Sequence, residues 1–481
     1  MVILRLWERN FALTFVAAMC TCLSSLGAYG DGMERKSARG VSEEFQKSVI
    51  YQILPQVFTQ EGTIKKAEEM LPHIASLGVD VVYLCPIVEY DDDTNQAYWS
   101  VRQKRSKTGN PKNPYRLKDY FKIEPMLGSD ADLDSFVKTA HKLGLKVVLD
   151  LVYYHCGPTA NMIKDNPDFV KRNPDGSVKN GRWNFPEVNF DNPKLREYLI
   201  ANMEYFINRF GVDGYRTDVE GAVPADFWAE AYARISKLKA NPIMIAESNR
   251  ADAQVDAYDA NYCFEWQFAL IDVFSKKSGA SELERTWKKC NARYVDGARF
   301  LRNLDNHDTA SDSEGLRFEK RFGHAGMNAV QVINFTMDGI PMIYNGNEIA
   351  DDVPICMFST NKHGRYFIAW ENAMTAAGRE RESLIRKLIN MRHDYSALSL
   401  GTTTWLSNSA ADSVISYTRN SKWQNVLVVV NTRDTQVEVS VDFTASVFRQ
   451  ILNCGATPVF KDGKLFVTLK PYAYLLISYR P

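Results

Sequence analysis

The chain has 481 residues, of which 45% are hydrophobic and 24% are charged, as in an ordinary globular protein. Lys plus Arg and Asp plus Glu each number 58, so the formal net charge is zero. Binding to nucleic acid or to an anionic membrane needs a basic surface, and nothing in this balance predicts either partner. The length suits one large barrel with a smaller appendage.

The first 30 residues have the pattern of a secretory signal. Arg5 and Arg9 precede an apolar stretch that ends near residue 26, and small residues then stand at signal-peptidase spacing. Thr and Ser interrupt the apolar stretch, which disfavours a retained membrane anchor. We predict export, to the periplasm or the medium if the source is bacterial. Lipid anchoring through Cys20 or Cys22 stays open, although neither follows a good lipobox.

The cysteines outside this segment are widely scattered. No CxxC pair occurs among them, so a zinc site has no support. Export would permit disulfides, but the sequence cannot pair them, and we favour buried free thiols. The residues are Cys85, Cys156, Cys263, Cys290, Cys356 and Cys454.

From residue 46 onward, apolar strand-like segments alternate with amphipathic helical segments. Since parallel strands need crossover connections, eight such alternations predict a parallel (β/α)₈ TIM barrel over residues 46–395, with its chemistry at the carboxyl ends of the strands. The predicted strands are 49–58, 79–84, 146–154, 214–219, 243–247, 262–266 (the least clear), 300–304 and 340–344. The predicted helices are 63–77, 130–143, 195–210, 225–238, 325–337 and 381–391.

Two insertions interrupt the alternation. Residues 89–112 follow the second strand and are polar and basic, whereas residues 156–192 follow the third strand and are rich in Asn, Pro and Asp. Long loops at the catalytic face usually form substrate clefts. Trp99 and Trp183 lie in these insertions, either as platforms for outer sugar units or as side chains that hold the loops down.

Residues 396–481 have a different sequence pattern, in which short strand-like segments such as NVLVVVN and AYLLISY alternate with turn residues. This pattern predicts a separate antiparallel β-sandwich domain. We favour a stabilising cap on the barrel over a sugar-binding module.

Charged and polar side chains follow four of the predicted strands. Acids from three different strands would repel one another at one face of a barrel, so a function or a metal must account for them. They are Asp150 and His155 after the third strand, Arg216 and Asp218 at the fourth, Glu247 at the fifth, and Asn306, His307 and Asp308 after the seventh.

Glycoside hydrolysis and metal binding are the two chemistries that use such acids. The first needs one carboxylate as nucleophile and one protonated carboxyl as general acid. Arg216 lies two residues before Asp218, so on a strand both side chains point the same way. An arginine beside a carboxylate keeps it ionised, which suits a nucleophile and weakens a cation site. We therefore favour hydrolysis and predict no metal ligands.

Four stretches resemble the signature regions of the α-amylase family, glycoside hydrolase family 13. They are DLVYYH at 150–155, GYRTD at 214–218, the strand that ends in Glu247, and DNHD at 305–308. They occur in the order and at the strands that the family shows. NPYRLKDYFKIEP at 113–125 is similar to the segment that carries its sugar-stacking tyrosine, and VDVVYLCP and GIPMIYNGNE match its second and eighth strand regions. The resemblance covers residues 46–480.

The resemblance implies a role for each acid. Asp218 would be the nucleophile that forms a covalent glucosyl intermediate, with Arg216 holding it ionised. Glu247 would be the general acid and then the base that activates water. Asp308 would bind sugar hydroxyls and favour the distorted, oxocarbenium-like ring. Retention of the α anomer would follow, and this requires the carboxyl groups of Asp218 and Glu247 to lie about 5–5.5 Å apart.

The resemblance also implies the residues that bind the sugar. His155 and His307 would hydrogen-bond the glucose unit in the innermost subsite, with satisfied structural histidines as the alternative. Tyr115 would stack on that unit, and Asp150 would orient neighbouring groups. The ligand would be an α-glucan or maltooligosaccharide, with no cofactor required and no protein partner.

The sequence departs from the family pattern at several positions. Tyr154 replaces an asparagine that helps bind a structural calcium, which puts calcium in doubt because a tyrosine has no amide oxygen. Asn249 stands where an aromatic residue is frequent, and Glu220 and Gly221 replace a Lys-His pair. The insertion after the third strand is short, as in bacterial maltodextrin-acting members.

These departures leave the bond preference open. We predict hydrolysis of α-1,4 bonds in maltodextrins or starch fragments. An α-1,6-glucosidase or a glucosyltransferase of the same family is the first alternative. A non-catalytic glucan-binding protein is the second, and the presence of all three acids disfavours it.

Overall fold

The computed structural model describes residues 35–312, 316–360, 362–364 and 366–480. The predicted secretory signal lies outside these residues, so its prediction stays open. Within the described ranges, every helix is too short or too polar to cross a membrane.

Short parallel strands form the predicted barrel, in the order β6-β5-β4-β3-β2-β1-β8-β7 across the described residues. A parallel bridge between Asn261 and Phe300 joins the two outer strands and closes the ring. The (β/α)₈ prediction is therefore confirmed. The strands are β1 Ile50–Ile53, β2 Val81–Leu84, β3 Lys146–Leu151, β4 Gly214–Thr217, β5 Ile243–Ala246, β6 Ala260–Asn261, β7 Leu301–Arg302 and β8 Ile340–Tyr344.

The helices of the outer ring bury their apolar faces against these strands. Local signals set their ends: a Ser129–Asp132 capping box starts one helix, and Gly211, at φ 74°, ends another in the left-handed conformation. The ring helices are Ile64–Glu69, Leu71–Ser76, Asp130–Lys142, Pro193–Phe210, Ala225–Ile235, Phe264–Phe274, Ser281–Arg293, Phe318–Thr336 and Ala376–Asp394. Shorter helices are Glu43–Lys47, Pro55–Phe58, Val101–Arg105, Asn161–Asp165, His307–Asp312 and Ser396–Ser399.

Three strand predictions were clearly wrong in their bounds. The third strand was predicted to reach residue 154, but β3 ends at Leu151. The sixth strand was predicted at 262–266, but β6 ends at Asn261 and a helix begins at Phe264. A short apolar run fits a buried strand and a buried helix equally well, which explains this error. The first strand was predicted to reach residue 58, but Pro55 begins a helical turn there, in keeping with the preference of proline for a first helical position.

The C-terminal region forms the predicted antiparallel β domain. Its strands all belong to one hydrogen-bonded sheet within the described residues, and they enclose a small hydrophobic core of their own. One face packs on the barrel helix Phe318–Thr336, where Tyr417 OH lies 2.6 Å from Thr336 Oγ1, as a cap on the barrel requires. The strands are β9 Thr402–Trp405, β10 Val414–Asn420, β11 Asn425–Asn431, β12 Val437–Val441, β13 Phe448–Lys461 and β14 Lys464–Tyr479.

The six cysteines in the described residues are free thiols, and four of them are buried. Cys263 and Cys290 stand apart from the rest because their Sγ atoms are only 3.5 Å apart. Cys263 immediately precedes the helix Phe264–Phe274, and Cys290 lies in the next helix, Ser281–Arg293, so a bond between them would close a short loop of chain.

We expect Cys263 and Cys290 to form a disulfide when the unfolded protein is refolded with oxidised glutathione. The two thiols lose two protons and two electrons, and glutathione disulfide is reduced to two thiols. Closing such a loop typically stabilises a fold by about 2–4 kcal/mol, so Tm should rise by a few degrees. Peptide mass mapping checks the bond, with Cys263→Ser as the control. Two alkylatable thiols at these positions after refolding would contradict the expectation.

Candidate active site

The carboxyl ends of β3, β4 and β5 carry the predicted acids. The register pairs Asp150 with Arg216 across β3 and β4, so both side chains stand at the same level of the barrel. Asp218 and Glu247 are the first residues after β4 and β5. Their backbone N–H groups donate to carbonyls of the neighbouring strands, at 2.8 and 3.1 Å, which fixes where both side chains begin.

The Arg216 guanidinium is the centre of this cluster and is fully buried. Its Nη1 atom lies 2.7 Å from Asp150 Oδ1 and 3.0 Å from Asp218 Oδ1. Its Nη2 atom lies 2.9 Å from Glu247 Oε1. One cation therefore serves three carboxyl groups, so the cluster cannot keep all three ionised without a net negative charge in a buried place.

This shortage of positive charge affects the protonation of Glu247 and Asp218. Burial raises the pKa of Glu247 and of Asp218, and Arg216 opposes the rise in both. Because both groups touch the same guanidinium, they titrate as a pair that retains one proton to a higher pH than free carboxyls do. A carboxylate and a carboxylic acid can thus coexist around Arg216.

Tyr115 and His307 form a second layer beside Asp150. Gln52 Nε2 donates to His307 Nδ1 at 2.8 Å, which leaves the ring proton on Nε2, 2.6 Å from the Tyr115 hydroxyl. Tyr115 and Tyr83 then donate to Asp150 Oδ2, at 2.9 and 2.6 Å. Burial lowers the pKa of His307 to about 4, so the ring is neutral. The Tyr115 and His307 rings are stacked, with centroids 5.1 Å apart.

His155 lies on the other side of Tyr115. Its Nε2 atom donates to the Tyr115 carbonyl at 2.7 Å, and burial lowers its pKa to about 4. Its Nδ1 atom is buried and has no partner among the described residues. The ring packs near Trp183, with centroids 5.4 Å apart. An acceptor nitrogen is therefore available beside Tyr115, as a ligand with hydroxyl groups requires.

Asp308 stands at the start of the helix that follows β7. Asn306 Oδ1 accepts the Asp308 backbone N–H at 2.9 Å and fixes this turn. The carboxylate forms an ion pair with Arg102, and His307 Nε2 lies 3.6 Å away. Burial raises the pKa of Asp308, but His307 and Arg102 outweigh burial and hold it well below its usual range. Asp308 is therefore a carboxylate at any ordinary pH.

Three functional neighbours were missed from the sequence. Gln52 gave a weak signal, since it is a polar residue inside an apolar strand. Tyr83 gave none, because an aromatic residue in a strand is usually core. Arg102 lies in an insertion whose basic character was noted but whose docking on Asp308 no local pattern reveals.

The two insertion tryptophans differ in exposure. Trp99 is 7% exposed and donates to the Asp93 carbonyl at 3.1 Å, so it holds its own loop. Trp183 is 41% exposed and meets the rings of His155 and Tyr154 edge-on. Only Trp183 of the pair has the free face that a sugar platform needs.

Glu220 lies two residues after Asp218 and is fully buried. It forms an ion pair with Arg250, whose Nη1 atom also donates to the Val223 carbonyl at 3.2 Å. The pair joins the loop after β4 to the loop after β5. Burial raises the pKa of Glu220 to about 7 in spite of Arg250.

We expect Glu220→Gln to remove a pH dependence of stability. A raised folded-state pKa gives stability below pH 4.5 that is lost as pH rises through about 7. A shift of the Glu220 pKa from 4.5 to about 7 corresponds to about 3 kcal/mol in the free energy of unfolding. Urea unfolding between pH 5 and pH 8 should show the wild type losing that amount relative to the variant. Parallel curves for the two proteins would contradict the assignment.

The chain matches a family model described as "Alpha amylase, catalytic domain" over residues 34–175 and 178–451. A cyclomaltodextrinase from a Bacillus species is 26% identical over 438 residues, which cover 80% of this chain and 72% of the relative. An α-amylase from Haloarcula japonica is 24% identical over 431 residues, which cover 84% of this chain but only 59% of the relative.

Solved structures agree on the fold. A maltogenic α-amylase from Thermotoga neapolitana superposes with a TM-score of 0.75 at 24% identity, covering 91% of this chain and all of the other. An α-amylase from Geobacillus thermoleovorans, solved with acarbose, gives a TM-score of 0.72 at 20% identity, covering 91% and 99%. With the family model matching most of the chain, the protein belongs to the α-amylase family of glycoside hydrolases that act on α-glucans.

Proposed function

We propose that the protein is a retaining hydrolase of α-1,4 bonds in maltodextrins or starch fragments. The observation that carries the proposal is the single Arg216 guanidinium between Asp218 and Glu247, which touches each within 3.0 Å. A shared cation keeps one carboxyl ionised as a nucleophile while the other retains a proton as an acid.

The geometry supports a two-step reaction. Asp218 attacks the anomeric carbon while Glu247 gives its proton to the leaving glycosidic oxygen. A covalent glucosyl ester and a free chain end result. Glu247, now ionised, takes a proton from water, and the hydroxide oxygen attacks the same carbon and releases Asp218. Two inversions at one carbon retain the α configuration.

The neighbouring groups hold the sugar in place for this reaction. Asp308 accepts hydrogen bonds from ring hydroxyls, and its low pKa keeps it an acceptor throughout. The neutral ring of His155 offers its Nδ1 atom, unpartnered within the described residues, as an acceptor, and Tyr115 supplies a flat ring beside it. Both nitrogens of His307 already bond to Gln52 and Tyr115, so His307 acts by holding Tyr115 in place. Asp150 fixes the Arg216 guanidinium from behind.

Three accompanying features are part of the proposal. The enzyme is exported by its N-terminal signal, it requires no cofactor because its carboxyl groups supply both acid and nucleophile, and it works without a protein partner. Dialysis against EDTA should therefore leave activity unchanged. A calcium requirement would show as a loss that added calcium restores.

Product analysis on maltoheptaose, pullulan and panose tests the function, with Asp218→Asn run alongside. Short maltooligosaccharides from the wild type alone, with pullulan untouched, are the expected result. Cleavage of panose or pullulan at α-1,6 bonds would contradict the proposed preference for α-1,4 bonds and indicate an α-1,6-glucosidase. Longer oligosaccharides than the substrate would indicate transfer, and no products from any of the three would overturn the hydrolase proposal.

A further inference from the structure

Cys263, Glu265 and Cys290 bring three metal-ligating side chains together outside the catalytic cluster. One donor atom of each, namely the two Sγ atoms and a carboxylate oxygen, lies within 4.8 Å of the other two. Both cysteines are buried. Cys263 and Glu265 flank the start of the helix Phe264–Phe274, and Cys290 lies in the helix Ser281–Arg293. The reaction proposed above uses none of the three.

The distance between the two sulfur atoms fits a shared metal ion. The Sγ atoms of Cys263 and Cys290 are 3.5 Å apart, whereas the sulfurs of a disulfide are about 2.05 Å apart. Zinc binds thiolate sulfur at about 2.3 Å with tetrahedral angles, which separates two bound sulfurs by about 3.8 Å. The two sulfurs therefore need to move apart by only about 0.3 Å to bind one zinc ion.

Glu265 has a carboxylate oxygen that can act as the third ligand. Its Oε1 atom forms an ion pair with Arg293 Nη1 at 2.6 Å. Its Oε2 atom is buried and has no hydrogen-bond partner in the described part of the chain. Such an atom is costly to leave unsatisfied, and a bound cation would satisfy it. The Glu265 side chain is 22% exposed, so water can reach the fourth tetrahedral position.

The charges around the cluster suit a divalent cation. Metal binding releases the thiol protons to solvent, so the two sulfurs and Glu265 together carry three negative charges. Arg293 supplies one positive charge. Arg302 also faces Cys263, but Asp338 forms an ion pair with it at 2.6 Å. The uncompensated charge therefore equals that of one divalent ion.

We propose that Cys263, Glu265 and Cys290 form a structural zinc site in the reduced protein. Two thiolates and one carboxylate are donors that zinc accepts, whereas magnesium and calcium prefer oxygen ligands alone. The ion would join the segment after β6 to the helix Ser281–Arg293. It uses the same sulfurs as the disulfide expected on oxidative refolding, so the two states exclude each other.

The spacing of the ligands explains why the sequence did not indicate this site. The prediction of no metal ligands rested on the acids at the strand ends and on the lack of a CxxC pair, but Cys263 and Cys290 are 27 positions apart. The packing of two helices brings them together. The site is also independent of the proposed function, because the ion would support the fold and take no part in the reaction. Removing zinc should lower Tm and leave kcat unchanged at temperatures well below Tm.

Zinc retention by the reduced, metal-free protein tests the proposal. After incubation with excess Zn²⁺ and desalting, the wild type should keep one zinc ion per chain, and its Tm should rise with the logarithm of the free zinc concentration. Cys263→Ser and Cys290→Ser should each keep less than about a tenth of that zinc. Cys156→Ser replaces another buried thiol and is the matched control, which should keep the wild-type amount. Circular dichroism checks that each variant is folded.

Cobalt identifies the ligands. Co²⁺ in place of zinc should give a thiolate-to-cobalt charge-transfer band that is weakened in both serine variants. Glu265→Gln should keep this band but raise the Kd for zinc by about tenfold or more. Zinc retention by the wild type no greater than by Cys263→Ser would overturn the proposal, and so would cobalt binding without the thiolate band. An unchanged Kd in Glu265→Gln would overturn the assignment of Glu265 as a ligand.

Discussion

Asp218→Asn is expected to lower kcat on maltoheptaose by about 10⁴-fold, or about 5 kcal/mol, with little change in KM. An amide cannot attack the anomeric carbon, and its loss of charge also leaves Arg216 with fewer anionic partners. Initial rates by reducing-end assay, together with Tm, check the result.

The matched control is Asp226→Asn. Asp226 is also an aspartate in an ion pair, with Arg196, but its side chain is 72% exposed on the helix after β4. Its replacement should leave kcat within about twofold, since exposed pairs contribute little. A residual rate in Asp218→Asn above one hundredth of the wild type, with the sequence verified, would exclude Asp218 as the nucleophile.

Glu247→Gln is expected to lower kcat/KM on maltooligosaccharides by about 10³-fold but on α-glucosyl fluoride by less than about tenfold. Fluoride leaves without a proton, so the missing acid matters only for a sugar leaving group. Steady-state rates on both substrates check this, with Glu230→Gln, an exposed glutamate on the helix Ala225–Ile235, as control. Equal losses on the two substrates would assign Glu247 a role other than general acid.

The pH profile provides a further check on Glu247. Burial raises its pKa above the ordinary value, so the wild-type enzyme keeps its acid protonated to a higher pH than a free carboxyl would. Activity should fall as pH rises through that pKa, because the acid form is lost. On maltooligosaccharides, the residual activity of the Gln variant should lack this alkaline decline, because an amide has no proton to lose in this range.

The barrel and its acids could be predicted because both follow from local pattern and from a rule of parallel sheets. Strand ends converge at one edge, so Asp218 and Glu247 had to meet whatever their distance in sequence. The helical turn at Pro55 and the end of β6 at Asn261 were not predicted, since burial of a short apolar run does not distinguish helix from strand.

The surroundings of the acids could be predicted less well. The pairing of Gln52 with His307, or of Arg102 with Asp308, joins residues more than 200 positions apart. Such contacts depend on how an insertion folds back across the barrel, and no spacing in the sequence encodes them. The family resemblance identified His307 and Asp308 but not the side chains that determine their protonation.

The closure of the barrel between β6 and β7 is unlike the rest of its wall. These strands have two residues each, and one bridge, with Asn261 N–H donating to the Arg299 carbonyl at 3.0 Å, joins them. Gln254 Nε2 reinforces it by donating to the Asn261 side chain and to the same carbonyl. The barrel sheet is thus closed by one bridge between β6 and β7, and the Gln254 side chain stabilises that bridge. Thermal opening of the barrel should begin between β6 and β7, next to the strand that precedes Glu247, so heat should disturb the alignment of Glu247 before that of Asp218.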